Sequence, residues 1–245
     1  LSVLVVASLL MFSAFTKDVK ATHEIINNLP LAIRSALSIS LGNFFTIYGF
    51  FAYQFTFVTL MGAIQAMNLG VGLISKEDSG KTTDFLLTKP ISRVSVVTNK
   101  LLAGTLLLIC TNGIFSATAA ITAKTVSPDN FNFKTFLMIS TTLLLVQLMF
   151  LALGMLFSVI IPKIKSVVTV TLPTVFTFFI IGTLGAIVGN DTVRYITPFK
   201  FFDPNYIISH GAYEMQFLII EVVFLVVVIP TSYIIFIKKD IRAVS

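Results

Sequence analysis

Uncharged apolar stretches alternate with short charged segments along the chain, and the lengths of the uncharged stretches decide the architecture. Such runs lie at 1–16, 47–74, 96–123, 135–161, 167–189 and 217–237, with Lys100 one turn into the third and Glu221 one turn into the last. About 20 apolar residues cross the hydrocarbon core of a bilayer as a helix. In lipid every backbone polar group needs an internal partner, so continuous runs of this length predict helices rather than barrel strands. The first run is short and opens at Leu1 rather than Met, which reads as a first span clipped at its front. A signal peptide fits less well, because neither a basic leading region nor a small-residue cleavage site is present. The pattern therefore predicts an all-α integral membrane protein of six transmembrane helices, forming one domain over residues 1–245.

The connecting segments differ in character. Residues 17–43 hold LPLAIRSALSISL, in which Leu31, Leu37 and Leu41 stand among small polar residues, as in a helix lying at the membrane interface. Residues 75–95 read SKEDSGKTTDFLLTKPISRVS. There Glu77 and Lys81 are four apart and able to pair on one helical turn. Phe85, Leu86 and Leu87 then supply an apolar side, Pro90 breaks the pattern, and Ser92 suits the N-cap of the third span. A short amphipathic helix along the membrane face is expected. Pro162 ends the fourth span, and Lys163 and Lys165 hold the turn at the headgroups. The segment after Asn190 carries TPFKFFDPNYIISHGAY, whose aromatics suit a membrane surface.

Composition agrees with the pattern. Of 245 residues, 56% are hydrophobic and 11% charged, against about 25% charged in soluble domains, so the chain is too poor in charge to cover a water-facing surface. The single Cys110 rules out an internal disulfide. With the N-terminus inside, ten of the 17 basic residues fall in inner segments and seven outside, against four acids inside and six outside. That bias places both termini, the 75–95 segment and the Lys163 turn in the cytoplasm.

Most catalytic chemistry is excluded. GKTT at Gly80–Thr83 matches the end of a P-loop, but the motif needs a first glycine where Ser75 stands, and it follows an apolar span instead of a buried strand. His23-Glu24 opens a zinc-protease H-E-x-x-H motif, yet Asn27 occupies the last position, and the only other histidine is His210. No span contains Asp, and Gly-x-Ser-x-Gly does not occur. Polar groups within spans are the remaining candidates. Gln54 and Gln65 are eleven apart, about three turns, and share a face; with Asn68 they either line a polar path or hydrogen-bond neighbouring helices. Asn112 and Gln147 present the same choice. Pro173 with Phe176, Phe178 and Phe179 suits an aromatic constriction or plain packing. Glu221 is an intramembrane carboxylate, a functional candidate unless it only reaches interfacial water.

The block GLISKEDSGKTTDFLLTKPISRVSVVTNKLLAG, Gly72–Gly104, resembles the type-2 family of ABC transporter permeases. It has a glycine before an acidic loop start, a leucine pair, Pro-x-x-Arg and a Lys opening the next helix. TPFKFFDP at Thr197–Pro204 and FIKKDIR at Phe236–Arg242 are weaker matches. The resemblance implies the permease subunit of an exporter, coupled to a separate ABC ATP-binding subunit and paired with a second permease copy or paralogue. Glu77, Asp78, Lys81, Thr82, Asp84, Phe85 and Leu86 would dock on the ATPase. ATP and Mg would sit on that partner, and this chain would bind no cofactor, metal or nucleic acid. Membrane lipid, a plasma-membrane location of bacterial inner-membrane type, and a hydrophobic or amphipathic cargo such as a drug, peptide or lipid-like molecule complete the expectation. Gln54, Gln65, Asn68, Phe176, Phe179 and Glu221 are the translocation-path candidates. The competing readings are an ion-coupled secondary transporter, which needs several buried acids where only Glu221 is present, and a non-transporting scaffold or immunity protein.

Overall fold

The computed structural model describes residues 1–17, 19–30, 33, 34, 37, 39, 42–80, 93–128, 131–161 and 164–238. Among these residues every regular element is helical and none is a strand. The α-helices are α1 Ser2–Lys17, α2 Val19–Asn28, α3 Ile47–Gly80, α4 Arg93–Val126, α5 Phe133–Ile160, α6 Val167–Val188, α7 Pro204–His210 and α8 Met215–Lys238. Two 3-10 turns, Asp191–Tyr195 and Pro198–Lys200, lie between α6 and α7. Five helices are long and apolar enough to cross a membrane, namely α3 (over Ile47–Leu73), α4, α5, α6 and α8. The apolar part of α1, Ser2–Phe12, is shorter.

The bundle is organised around α3 and α5, whose mutual contact is the most extensive in the molecule. On one side α1 packs against α4 and α3; on the other, α6 lies on α3 and α8 on α5. Chain direction follows from the cross-links: α3, α5 and α8 run parallel, and α4 runs against them. The end holding Ile47, Phe133 and Met215 is termed the outer end, after the charge bias of the loops.

Local chemistry explains several boundaries. Asn132 caps α5 by accepting from Lys134 N at 3.0 Å and Thr135 N at 3.4 Å. Gly189 ends α6 at φ 69°, a left-handed conformation that costs glycine little. Pro173 and Pro230 lie inside α6 and α8 without ending them, as membrane helices allow when neighbours re-satisfy the freed carbonyls.

Two boundaries differ from the sequence expectation. The helix following the second span does not stop near residue 74 but continues as α3 through Gly80, carrying Glu77 and Asp78 on an unbroken helix. Within 17–43 the structure adds the helix α2, where Ile26 buries into the core and Asn27 Nδ2 lies 3.2 Å from His23 Nδ1, while Ile33 and Arg34 of the expected interfacial helix are also helical. That i,i+4 pair and one apolar anchor were not read as a helix in so polar a stretch. Leu31 and Leu41 of the expected interfacial helix lie outside the described residues, as do Ser92, Pro162 and Lys163.

Candidate functional site

The seam between α3 and α5 is made of small residues. Gly62, Ala66 and Gly70 recur every fourth position on α3; from α5, Gly154 faces Gly70, and Leu143 and Gln147 face Gly62. A Cβ on Gly154 would lie 2.7 Å from Met67 O and 2.8 Å from Val71 N. One on Gly70 would collide with Leu151 O. Small residues four apart let membrane helices approach backbone to backbone, where dispersion replaces the missing hydrophobic drive. This spacing was legible in the sequence and is the structural signal that polar-residue reasoning passed over.

At the level of Gly62 a polar clasp joins three helices. Asn112 of α4 donates to Gln147 Oε1 of α5 and to Leu108 O at 2.8 Å, and Gln147 Nε2 donates to Gly62 O of α3 at 3.2 Å. Both side chains are buried, so for this pair the helix-bonding alternative is the one observed. Gln147→Leu is expected to lower stability by about 1–3 kcal/mol, because it leaves the buried Asn112 amide with Leu108 O alone and removes the bond to Gly62 O. Asn112→Leu/Gln147→Leu should recover part of that loss, measured as thermal midpoints of the purified protein in detergent.

The path candidates are dispersed. Gln54 and Gln65 are half-buried, and the side-chain oxygen of Asn68 is covered without a hydrogen-bond partner. Phe176 is 41% exposed on the outer surface of α6. Phe179 turns inward and meets Phe199 edge-on at 5.5 Å between ring centroids. Glu221 is 3% exposed, and both its carboxylate oxygens are covered without a hydrogen-bond partner. One turn from the expected start of its span, this carboxylate was read either as a functional group or as one that reaches interfacial water; in the structure it is enclosed.

What the structure does bring together is a hollow at the outer end. A small cavity of about 40 Å³ lies between α3, α5 and α6, walled by Thr56, Thr59, Thr142, Thr183 and Phe179. Phe199, Lys200, Phe202 and Pro204 line it as well and also wall a larger cavity of about 550 Å³. The hydroxyls of Thr59 and Thr142 donate to Phe55 O at 2.7 Å and Ile139 O at 2.7 Å, leaving oxygen lone pairs as polar points in an aromatic wall. Four threonines on three helices have no common sequence spacing, so only the fold reveals them. Burial holds the Lys200 ammonium below the ordinary lysine range; Asp203 opposes this and Arg194 adds to it.

The outer cap over these cavities is fastened by Arg194. Its Nη2 donates to Glu214 Oε1 at 2.7 Å, its Nε donates to Lys200 O at 3.2 Å, and its guanidinium lies 4.5 Å from the Phe217 ring centroid. Thr197 Oγ1 adds a bond to Phe178 O at 2.8 Å. The TPFKFFDP segment is thereby a folded lid support, not a loose loop.

At the opposite end, Lys100 Nζ donates to Leu73 O at 2.7 Å, and the hydroxyls of Thr98 and Tyr233 are 2.9 Å apart. Leu73, Val97, Met155 and Val159 form a small apolar core there. The inner halves of α3, α4, α5 and α8 are thus tied together. Of the expected docking residues, Glu77 and Asp78 lie on the last turns of α3, whereas Lys81, Thr82, Asp84, Phe85 and Leu86 lie outside the described residues.

The sequence signature of ABC-2 family transporter proteins matches residues 1–241. The chain belongs to the ABC-2 transporter family. No curated protein matches it. An ABC-2 permease is a multi-pass transport subunit and not itself the catalyst, and members of this family work with an ATP-binding subunit. The apolar helices, the poverty of charge and the Gly72–Gly104 block accord with that membership.

Proposed function

We propose that this ABC-2 chain is the six-span membrane subunit of an ATP-driven exporter, with both termini in the cytoplasm and α1 as the first span. Two permease subunits, identical or paralogous, pair with two ATPase subunits that hold all the ATP and Mg. The residues from Glu77 to Leu86 dock on the ATPase, and the cargo is hydrophobic or amphipathic. The bacterial inner membrane is the location this reading favours.

The observation that carries the proposal is the continuity of α3. From Leu73 to Gly80 it runs about 10 Å beyond its apolar span at 1.5 Å per residue. Its base is bonded to α4 through Lys100 and adjoins the Thr98–Tyr233 tie between α4 and α8. A helix joined rigidly to the bundle converts closure of cytoplasmic domains into movement of membrane helices, and a flexible connector does not. GKTT then belongs to the lever, and ATP binds on the partner.

The test is reconstitution with the copurified ATPase. Glu77→Ala/Phe85→Ala removes one charged contact and one anchor of the docking surface, and loss of an interface anchor costs about 2 kcal/mol or more. Transport should fall at least tenfold while ATP hydrolysis persists, or the complex should dissociate in detergent. Micromolar ATP binding by the lone chain, abolished by Lys81→Ala, would overturn the proposal. The enclosed Glu221 favours the ion-coupled alternative, under which transport would survive without ATP and stop when ion gradients are collapsed.

A further inference from the structure

The 75–95 segment joins the bundle by two legs. One is the extension of α3 beyond Leu73, the last residue of its apolar span, and the other is the start of α4 at Arg93. The two helices run against each other, and the contact between them is much smaller than that between α3 and α5. Packing therefore holds the base of the first leg firmly on its α5 side and only lightly on its α4 side.

Lys100 lies on the lightly held side. It stands seven residues into α4, about 10 Å along the helix. A lysine near the end of a spanning helix ordinarily stretches its stem towards the head groups. Here the half-buried side chain donates from Nζ to Leu73 O at 2.7 Å, a charge-assisted bond. The acceptor belongs to the main chain, so the bond grips the α3 backbone itself where the span ends. A bond to a side chain would leave rotatable torsions between the grip and the helix. The extension depends on a firm root, because Ser75, Asp78, Ser79 and Gly80 are weak helix formers.

α4 is able to serve as the anchor because it is fastened again deeper in the membrane. Asn112, about 18 Å further along α4, donates to Gln147 of α5, which in turn donates to Gly62 O of α3. The root of the extension is thus braced from two sides, by the glycine seam with α5 and by Lys100 from α4.

We propose that Lys100 is a positioning residue for coupling: by closing the base of the two legs it fixes the angle at which the extension of α3 leaves the bundle. A push on the 75–95 segment then turns membrane helices instead of bending the extension. As part of the coupling scheme this role rests on the transport reading. The brace itself needs neither ATP nor a partner.

Two measurements test it. The full chain with Cys110→Ser, Ser79→Cys and Ile237→Cys carries nitroxides on the extension and on the exposed inner end of α8, and pulsed electron resonance reads the spread of distances between them. Lys100→Met, which keeps the stem and removes the donor, and Lys100→Gln, which removes the charge, should each widen that spread at least twofold. Lys100→Arg, and Lys165→Met at an exposed site of the same end, should leave it unchanged. In the complex with the copurified ATPase, trapping with ATP and vanadate should change amide exchange across residues 198–204, which wall the small cavity, at least threefold in the wild type. Lys100→Met and Lys100→Gln should lose that response while assembly and ATP hydrolysis persist, and Lys100→Arg should keep it. A merely structural role would instead lower the thermal midpoint and cost assembly along with the response. An unchanged spread in both variants, a widened spread with the response intact, or loss of assembly in both overturns the proposal. A wild type that gives no nucleotide response would sink the transport reading, and the distance spread would still decide whether Lys100 braces the extension.

Discussion

Gly70→Leu should leave no stably folded protein. A side chain there meets the carbonyl of Leu151 and the Cα of Gly154, which is backbone on both counts, so no rotamer change makes room and the two central helices must separate. Overpacking in a well-packed core costs about 1–3 kcal/mol when side chains can yield, and more when they cannot. Separation also strains the clasp, because Gln147 reaches Gly62 O across the same seam. The expected result is loss of the monodisperse peak in detergent gel filtration and a thermal midpoint too low to measure. Gly104→Ala is the matched control: its Cβ would meet only Leu151 Cδ1 at 3.6 Å and Leu73 Cδ2 at 3.9 Å, and it should behave as wild type. A well-folded Gly70→Leu protein would mean that α3 and α5 do not cross as described.

Arg194→Ala should release the outer cap while leaving the spans folded. The substitution removes a charge-assisted bond to Glu214, a bond to the backbone of Lys200 and a cation lying over Phe217. A hydrogen bond to a charged group contributes about 1.5–3 kcal/mol, and the cation on the ring adds about 0.5–1 kcal/mol. Arg194→Lys should recover little of this, since one ammonium cannot reproduce the forked donor set. Hydrogen exchange should accelerate at least tenfold across residues 191–214 and remain unchanged in α3 and α5. Glu214→Gln combined with Arg194→Ala should cost less than the two single changes added together, because both sever the same bond. Acceleration spread evenly over the molecule would show that the cap is not a separate unit.

The sequence analysis read the helices well because charge-free length is a local property. The five long apolar helices coincide with runs that any window would find, and the Gly72–Gly104 block was specific enough to name the family before any geometry was known. The candidate site was far less legible. Gln54 and Gln65 were singled out as polar groups sharing one face, but Thr56 and Thr59, two and five positions after Gln54, are the polar α3 residues that wall the small cavity. Threonine inside a membrane helix bonds its own preceding turn, as Thr59 does to Phe55 O, and gives no hydropathy signal. Arg34, Arg194 and Lys200, which wall the larger cavity together, looked like ordinary loop cations because their meeting depends on the path of the chain over the bundle end. Glu221 was visible as an anomaly, but burial against a neighbouring helix cannot be read from distance to the helix end.

The glycine seam also has a mechanical meaning. Two helices that touch through backbone cannot slide or rotate past each other without opening a gap, so α3 and α5 behave as one strut. That strut extends from Gly80 at the inner end to Phe55, Thr56 and Thr142 at the small cavity, and between Thr56 and Gly80 it spans about 36 Å of helix. The opposite wall of the cavity, Phe179 and Thr183, belongs to α6, which lies on α3 without any such interlock. A tilt imposed at the inner tip would therefore move the α3–α5 wall of the cavity more than the α6 wall, and the cavity would widen or shut along the α6 joint.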